Sequence, residues 1–169
     1  MEYPKRKNPR LRGYDYSQQG AYFVTLCTRE RKAILSRIVV GPDALIGPRV
    51  ELLPIGKRVE YHLRRMEQVY AAVSIAHYVV MPNHIHLLLC IEGENGPMRA
   101  SGPTLSSMIR SLKRMVTRET GGTIWQASYH DHIIRDENDF LKHWNYIDQN
   151  PARWTEDEFY VPSPMSGMI

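Results

Sequence analysis

Residues 82–89 read Pro-Asn-His-Ile-His-Leu-Leu-Leu and place His84 and His86 two positions apart at the head of an apolar run. Side chains on a strand alternate faces, so the two imidazoles point one way and Ile85 and Leu87 the other. Two ring nitrogens so placed can ligate one divalent metal. Two surface histidines at a sheet edge are the plainer account of any His-x-His. That account is weaker here, because unpartnered polar rings opening so apolar a strand would be costly. A second group lies at residues 146–151, Tyr-Ile-Asp-Gln-Asn-Pro. Tyr146 and Asn150 are four apart and share a helical face. A phenol can attack phosphorus, and an amide oxygen can complete a metal's coordination beside it. Pro151 disfavours helical geometry at the residue before it, which puts Asn150 in the last turn of its helix. A C-terminal cap is the bland role for Asn150, and a packed ring with its hydroxyl in solvent is the bland role for Tyr146.

A third group is cationic and aromatic. Arg10 and Arg12 precede Tyr14 and Tyr16, and Arg110, Lys113, Arg114 and Arg118 stripe one helix. Cations neutralise phosphates and exposed rings stack on unpaired bases, although a solvated helix face and a loose arm look the same in sequence. With 22 Lys and Arg against 18 Asp and Glu, the net charge of +4 leans toward a polyanionic partner without proving one.

These residues need a scaffold, and 169 residues at 43% hydrophobic content provide for one domain with a proper core. The two cysteines, Cys27 and Cys90, lie in apolar runs. They are too few for a disulfide scaffold or a zinc ribbon, so reduced thiols in a cytoplasmic protein are expected. No run approaches a membrane span in length.

Residues 1–20 read as a basic, Tyr-rich arm. Residues 21–28 form a strand, residues 36–54 a loop or irregular hairpin, and residues 55–69 a helix with Ile55, Val59, Leu63 and Met66 inward. Strands over 73–81 and 84–91 flank a Pro82-Asn83 turn, and a loop follows over 92–102. Thr104 caps a helix that presents Leu105, Met108, Ile109, Leu112, Met115 and Val116 inward and ends at Gly121-Gly122. Residues 124–135 read as a strand with one polar stretch, and Asp136 caps a final helix through Phe140, Leu141, Trp144 and Ile147. This order predicts an α+β fold: a ferredoxin-like antiparallel sheet (βαββαβ) with an additional C-terminal helix that carries Tyr146. The expected division is an arm at 1–20, a domain at 21–155 and an acidic, then Pro- and Ser-rich tail at 156–169.

Taken together, these segments resemble the single-tyrosine HUH transposases of small bacterial insertion sequences, and most closely their REP-associated tyrosine transposase subgroup. The likeness covers about residues 10–155. It rests on Arg12-Gly13-Tyr14-Asp15-Tyr16, Tyr22-Phe23-Val24-Thr25, VVMPNHIHLLL at 79–89, SLKRMVTR at 111–118, IWQASYHDHIIRDEND at 124–139 and YIDQNP at 146–151. No single piece is specific, whereas PNHIHLLL combined with the downstream motifs is highly so. The proline-rich stretch at 36–54 matches less well, and the tail after Arg153 matches no functional part of the family.

The resemblance implies that His84 and His86 hold Mg²⁺ or Mn²⁺ with help from Asn150. It implies that Tyr146 attacks a scissile phosphate in single-stranded DNA beside a hairpin, leaving a 5′-phosphotyrosine link and a free 3′-hydroxyl. It further implies a protein that acts as a monomer or a homodimer, with the arm at 5–16 and the helix at 104–118 as candidates for gripping DNA. Tyr78 and Tyr129 are rival nucleophiles on strands. His130, Asp131, His132 and Arg135 are candidates for supporting the site, with core and surface roles equally open. Two other readings stand beside this one: a domesticated hairpin-binding module with little chemistry, and a metal-dependent hydrolase that uses water.

Overall fold

The structure is a computed structural model that describes residues 15, 16, 18–41, 47–93 and 103–162. Four strands, β1 (Gly20–Cys27), β4 (Val73–Val80), β5 (His84–Ile91) and β6 (His130–Ile133), form one sheet in the order β4-β5-β1-β6, with every pair antiparallel. Helix α1 (Pro54–Val69) connects β1 to β4, and α2 (Leu105–Thr120) connects β5 to β6. The β4-β5 pair occupies one end of the sheet and β6 the other, which is the ferredoxin-like arrangement expected from the element order. The stretch at 36–54 is the irregular hairpin: β2 (Ser36–Val39) pairs with β3 (Arg49–Leu52) as a separate two-stranded sheet.

Strand alternation sorts the two faces. Tyr22, Val24 and Leu26 of β1 and Ile85, Leu87 and Leu89 of β5 are fully buried on one side. They pack there against Val59, Leu63 and Met66 of α1 and Met108, Leu112 and Val116 of α2. Thr104 caps α2 by accepting from the Ser107 amide, and Gly121 closes the helix in the left-handed conformation at φ 73°. The final helix, α3 (Glu137–Gln149), is capped by Asp136 and covers the other face. Its Ile147, Phe140 and Trp144 pack with Val79, Met81 and Leu88. That second face is the one carrying His84 and His86, so α3 lies over them.

Two expectations need correction. Residues 124–135 do not form one strand; only 130–133 pair with β1, and Trp125 makes an isolated bridge to Thr28. Residues 124–126 still bond to residues 27–29, and beyond them Lys113 Nζ donates to the carbonyls of Gln126 (2.9 Å) and Ser128 (2.8 Å) where the ladder lapses. Tyr16 is not part of a free arm either. It is 9% exposed and packs beside Tyr22 in the core, with ring centroids 6.2 Å apart.

Candidate active site

His84 and His86 are 0% and 1% exposed, side by side on the α3 face, with ring centroids 4.5 Å apart. Each has one ring nitrogen engaged. His84 Nδ1 meets Asn83 Oδ1 at 2.9 Å, and His86 Nδ1 meets Thr25 Oγ1 at 2.9 Å from the facing strand, where Thr25 is the register partner of His86. The Asn83 amide donates through Nδ2 to the carbonyls of Phe159 (2.7 Å) and Arg31 (3.2 Å). Its Oδ1 is therefore the acceptor, so His84 Nδ1 carries the proton and Nε2 bears a lone pair. The Asn83 backbone is fixed as well, because its carbonyl accepts from both the amide and the hydroxyl of Thr28.

The other ring nitrogens have no partner. Nε2 of His84, Nε2 of His86 and Oδ1 of Asn150 are all buried without a hydrogen bond. An unsatisfied buried polar atom costs roughly 1–3 kcal/mol, and three gathered at one place could together hold a ligand. Asp157 joins them: a carboxylate oxygen and the two imidazoles bring their ligand atoms within 4.8 Å of one another. Its carboxylate is held by Asn150 Nδ2 at 2.7 Å and by the Phe159 amide at 2.7 Å. Nitrogen, amide and carboxylate donors together fit a divalent cation. Burial pushes the His84 ring down to about 4, partly opposed by the Asp157 charge, and burial also holds His86 well below its ordinary range. Both rings are neutral at neutral pH, as metal ligation requires.

Tyr146 stands over this pocket. It is 40% exposed, and its ring lies edge-on to His86 with centroids 5.0 Å apart. Burial, then the charges of Asp157 and Glu158, raise its phenol above the ordinary value. Asn150 closes α3 one turn on and neighbours both His84 and Tyr146. Despite Pro151 it keeps helical angles (φ −58°, ψ −43°), and its side chain is pinned by Asp157. A cavity of about 250 Å³ opens here, lined by Tyr146, Gln149, Asn150, Arg153 and Asp157.

Of the residues singled out in the sequence, the fold brings together His84, His86, Tyr146 and Asn150. The rival tyrosines are occupied elsewhere: Tyr78 bonds Glu60 and Arg64, and Tyr129 bonds Ser106. Arg110, Arg114 and Arg118 are exposed on α2, across the sheet from the histidines, while Lys113 is tied to backbone carbonyls. Arg10, Arg12 and Tyr14 lie outside the described residues. Sequence reasoning missed Thr25, Asp157 and Phe159, and it took Asn83 only as a turn residue. The Phe159 ring packs 4.7 Å from that of His84, under the guanidinium of Arg31 at 5.2 Å.

The chain has relatives among known proteins. No family model matches the chain. An uncharacterised protein of Haemophilus influenzae is 30% identical over 175 residues, spanning 92% of this chain and 93% of the relative. A second protein of that organism, assigned to the REP-associated tyrosine transposases, is 31% identical over 150 residues, spanning 82% of this chain and 74% of the relative. A solved structure of the REP-associated tyrosine transposase bound to a REP hairpin superposes with a TM-score of 0.62 at 23% identity, covering 86% of this chain and 73% of that one. The chain belongs to the REP-associated tyrosine transposases. Among the described residues, no helix is long and apolar enough to cross a membrane.

Proposed function

We propose that this chain nicks and rejoins single-stranded DNA next to a hairpin, with Tyr146 as the nucleophile. The observation that carries the reading is the pair of buried, unpartnered Nε2 atoms, one of them on the His86 ring that meets Tyr146 edge-on at 5.0 Å. Tyr146 Oη attacks the scissile phosphorus and the 3′-oxygen leaves, so the 5′-phosphate stays on the protein. A later 3′-hydroxyl reverses the step and joins a new strand, with no nucleotide cofactor consumed. His84, His86, Asn150 and Asp157 would hold the divalent ion, Mg²⁺ or Mn²⁺, which supplies charge neutralisation at the phosphate when bound.

Electrostatics support this assignment. Glu156, Asp157 and Glu158 line the cavity beside Tyr146 with Arg153, which pairs with Glu156 at 3.1 Å, so the excess there is acidic and repels a phosphodiester. A cation among them removes that repulsion where the backbone must approach. Burial and the charges of Asp157 and Glu158 raise the Tyr146 phenol, and the Asn150 side chain opposes them only in part. The arm residues Arg10, Arg12 and Tyr14, with Arg110, Arg114 and Arg118 on α2, are the proposed grip on hairpin phosphates and unpaired bases.

The test incubates purified protein with labelled hairpin oligonucleotides taken from palindromes flanking the gene, with Mn²⁺ or with EDTA, on a denaturing gel. A protein–DNA adduct that forms only with metal and vanishes in Tyr146→Phe is the expected result. Cleavage that survives Tyr146→Phe would assign a water nucleophile instead. Hairpin binding with no cleavage in wild type would make the protein a binding module.

A further inference from the structure

A second cluster of ligating side chains lies on the far side of Phe23 from the first. His132 comes from β6, and Asp139 and His143 come from α3, four residues apart on one face. His132 Nε2 meets Asp139 Oδ2 at 2.8 Å, while His143 Nδ1 donates to the Asp139 main-chain carbonyl at 2.8 Å and lies 3.2 Å from Asp139 Oδ1. The two rings stack with centroids 4.7 Å apart and planes 23° apart. All three ligand atoms fall within 4.8 Å of one another.

We propose that His132, Asp139 and His143 form a second divalent-cation site, suited to a borderline d-block ion such as Zn²⁺. Two ligands at i and i+4 on a helix, with a third from a neighbouring strand, is a recurrent way to build three protein ligands around one open position. Two imidazoles and one carboxylate, without the amide oxygen that accompanies them at the first site, suit a borderline ion. The Arg135 amide also donates to Asp139 Oδ2 at 3.1 Å, which fixes the orientation of the carboxylate. The site opens on a cavity of about 490 Å³ lined in part by Thr25, His130, His132 and His143, which leaves room for water to complete the coordination.

The two sites are separate. The Phe23 ring stacks on His86 at 5.2 Å and meets His143 at 4.6 Å, so an apolar ring stands between the two histidine clusters. An ion at the second site would join the first turns of α3 to β6 and thereby hold the helix that carries Tyr146. A plain hydrogen-bonded tie between the same elements is the competing account, and it predicts no ion at all.

The experiment counts ions. Full-length protein is stripped with EDTA, reloaded with Zn²⁺, separated from free metal, and assayed for bound zinc. In parallel, Co²⁺ titrations follow the visible ligand-field bands. His132→Ala is the first variant, because that side chain is 40% exposed and its loss is mild for the fold. Wild type is expected to hold one ion more than His132→Ala, while His84→Ala retains the ion that His132→Ala loses. That difference does not depend on whether the His84 site binds zinc, so it stands or falls apart from the proposed strand-transfer chemistry. His143→Gln, checked by circular dichroism, provides the same comparison if His132→Ala misfolds. Equal zinc content in wild type and a folded variant overturns the proposal, as does loss of both ions together in His84→Ala.

Discussion

The Tyr146 ring meets the His86 imidazole edge-on, with centroids 5.0 Å apart and planes at 67°, and it meets Phe23 at 5.9 Å in a similar edge contact. These contacts involve the ring and not the hydroxyl. The ring is thus positioned by packing, while the phenol oxygen has the Asn150 side chain as its neighbour.

Tyr146→Phe therefore keeps its packing and loses only the oxygen. Unfolding by urea should shift by no more than about 0.5 kcal/mol, while adduct formation should fall by a factor on the order of a thousand or more. A large loss of stability would mean that the hydroxyl has a structural role.

Thr25→Val should weaken the cation site without touching a proposed ligand. It replaces the hydroxyl facing His86 Nδ1 with a methyl of similar size. Partners that orient a ligating histidine typically contribute about 10–100-fold in metal affinity, and a drop in that range is expected for Mn²⁺ by calorimetric titration. Asn83→Ala should cost more, since it frees His84 and also the Phe159 carbonyl. Unchanged Mn²⁺ affinity in both variants would remove His84 and His86 from the ligand set.

Metal-free protein should lose stability in mild acid. The folded His84 ring is held down to about 4 by burial, against 6.5 for an ordinary histidine. Between those values the unfolded chain binds the proton and the folded chain does not. The stability present above about pH 6.5 is therefore lost as pH falls toward 4, by roughly 3 kcal/mol in full. His86 acts in the same direction. Urea midpoints in EDTA should decline steadily from about pH 7 to about pH 4.5, and a flat profile would contradict the burial of both rings in solution.

Gly56→Ala should destabilise, although alanine normally favours a helix by up to about 1 kcal/mol. A Cβ at Gly56 would collide with the carbonyl oxygen of Leu35, which is held in place by the Leu53 amide at 2.9 Å. A loss of roughly 1–3 kcal/mol in urea unfolding is expected. The Leu35 amide also donates to the Pro82 carbonyl at 3.0 Å, so the displacement should reach the turn before His84 and lower Mn²⁺ affinity as well.

The parts of the site that follow a period were legible in the sequence. Alternation put His84 and His86 on one face, helical spacing put Asn150 below Tyr146, and the order of apolar segments defined the sheet. What escaped has no period. Asp157 and Phe159 follow a short 3-10 turn in a stretch with no strand or helix pattern, and only the fold brings them to β5. Thr25 looks like any strand threonine until the β1–β5 register sets it opposite His86. The break after Gln126 was invisible because a distant lysine, rather than a local turn residue, takes up the carbonyls of Gln126 and Ser128.

The donors of the cation pocket are widely spaced along the chain, at His84, His86, Asn150 and Asp157. On the ribosome, β5 emerges well before the last two are translated, and Phe159, which covers His84, follows later still. A nascent chain therefore offers two imidazoles and no complete pocket. The donor set that the proposed activity needs is complete only once Asp157 has been translated, at the far end of the fold that positions it.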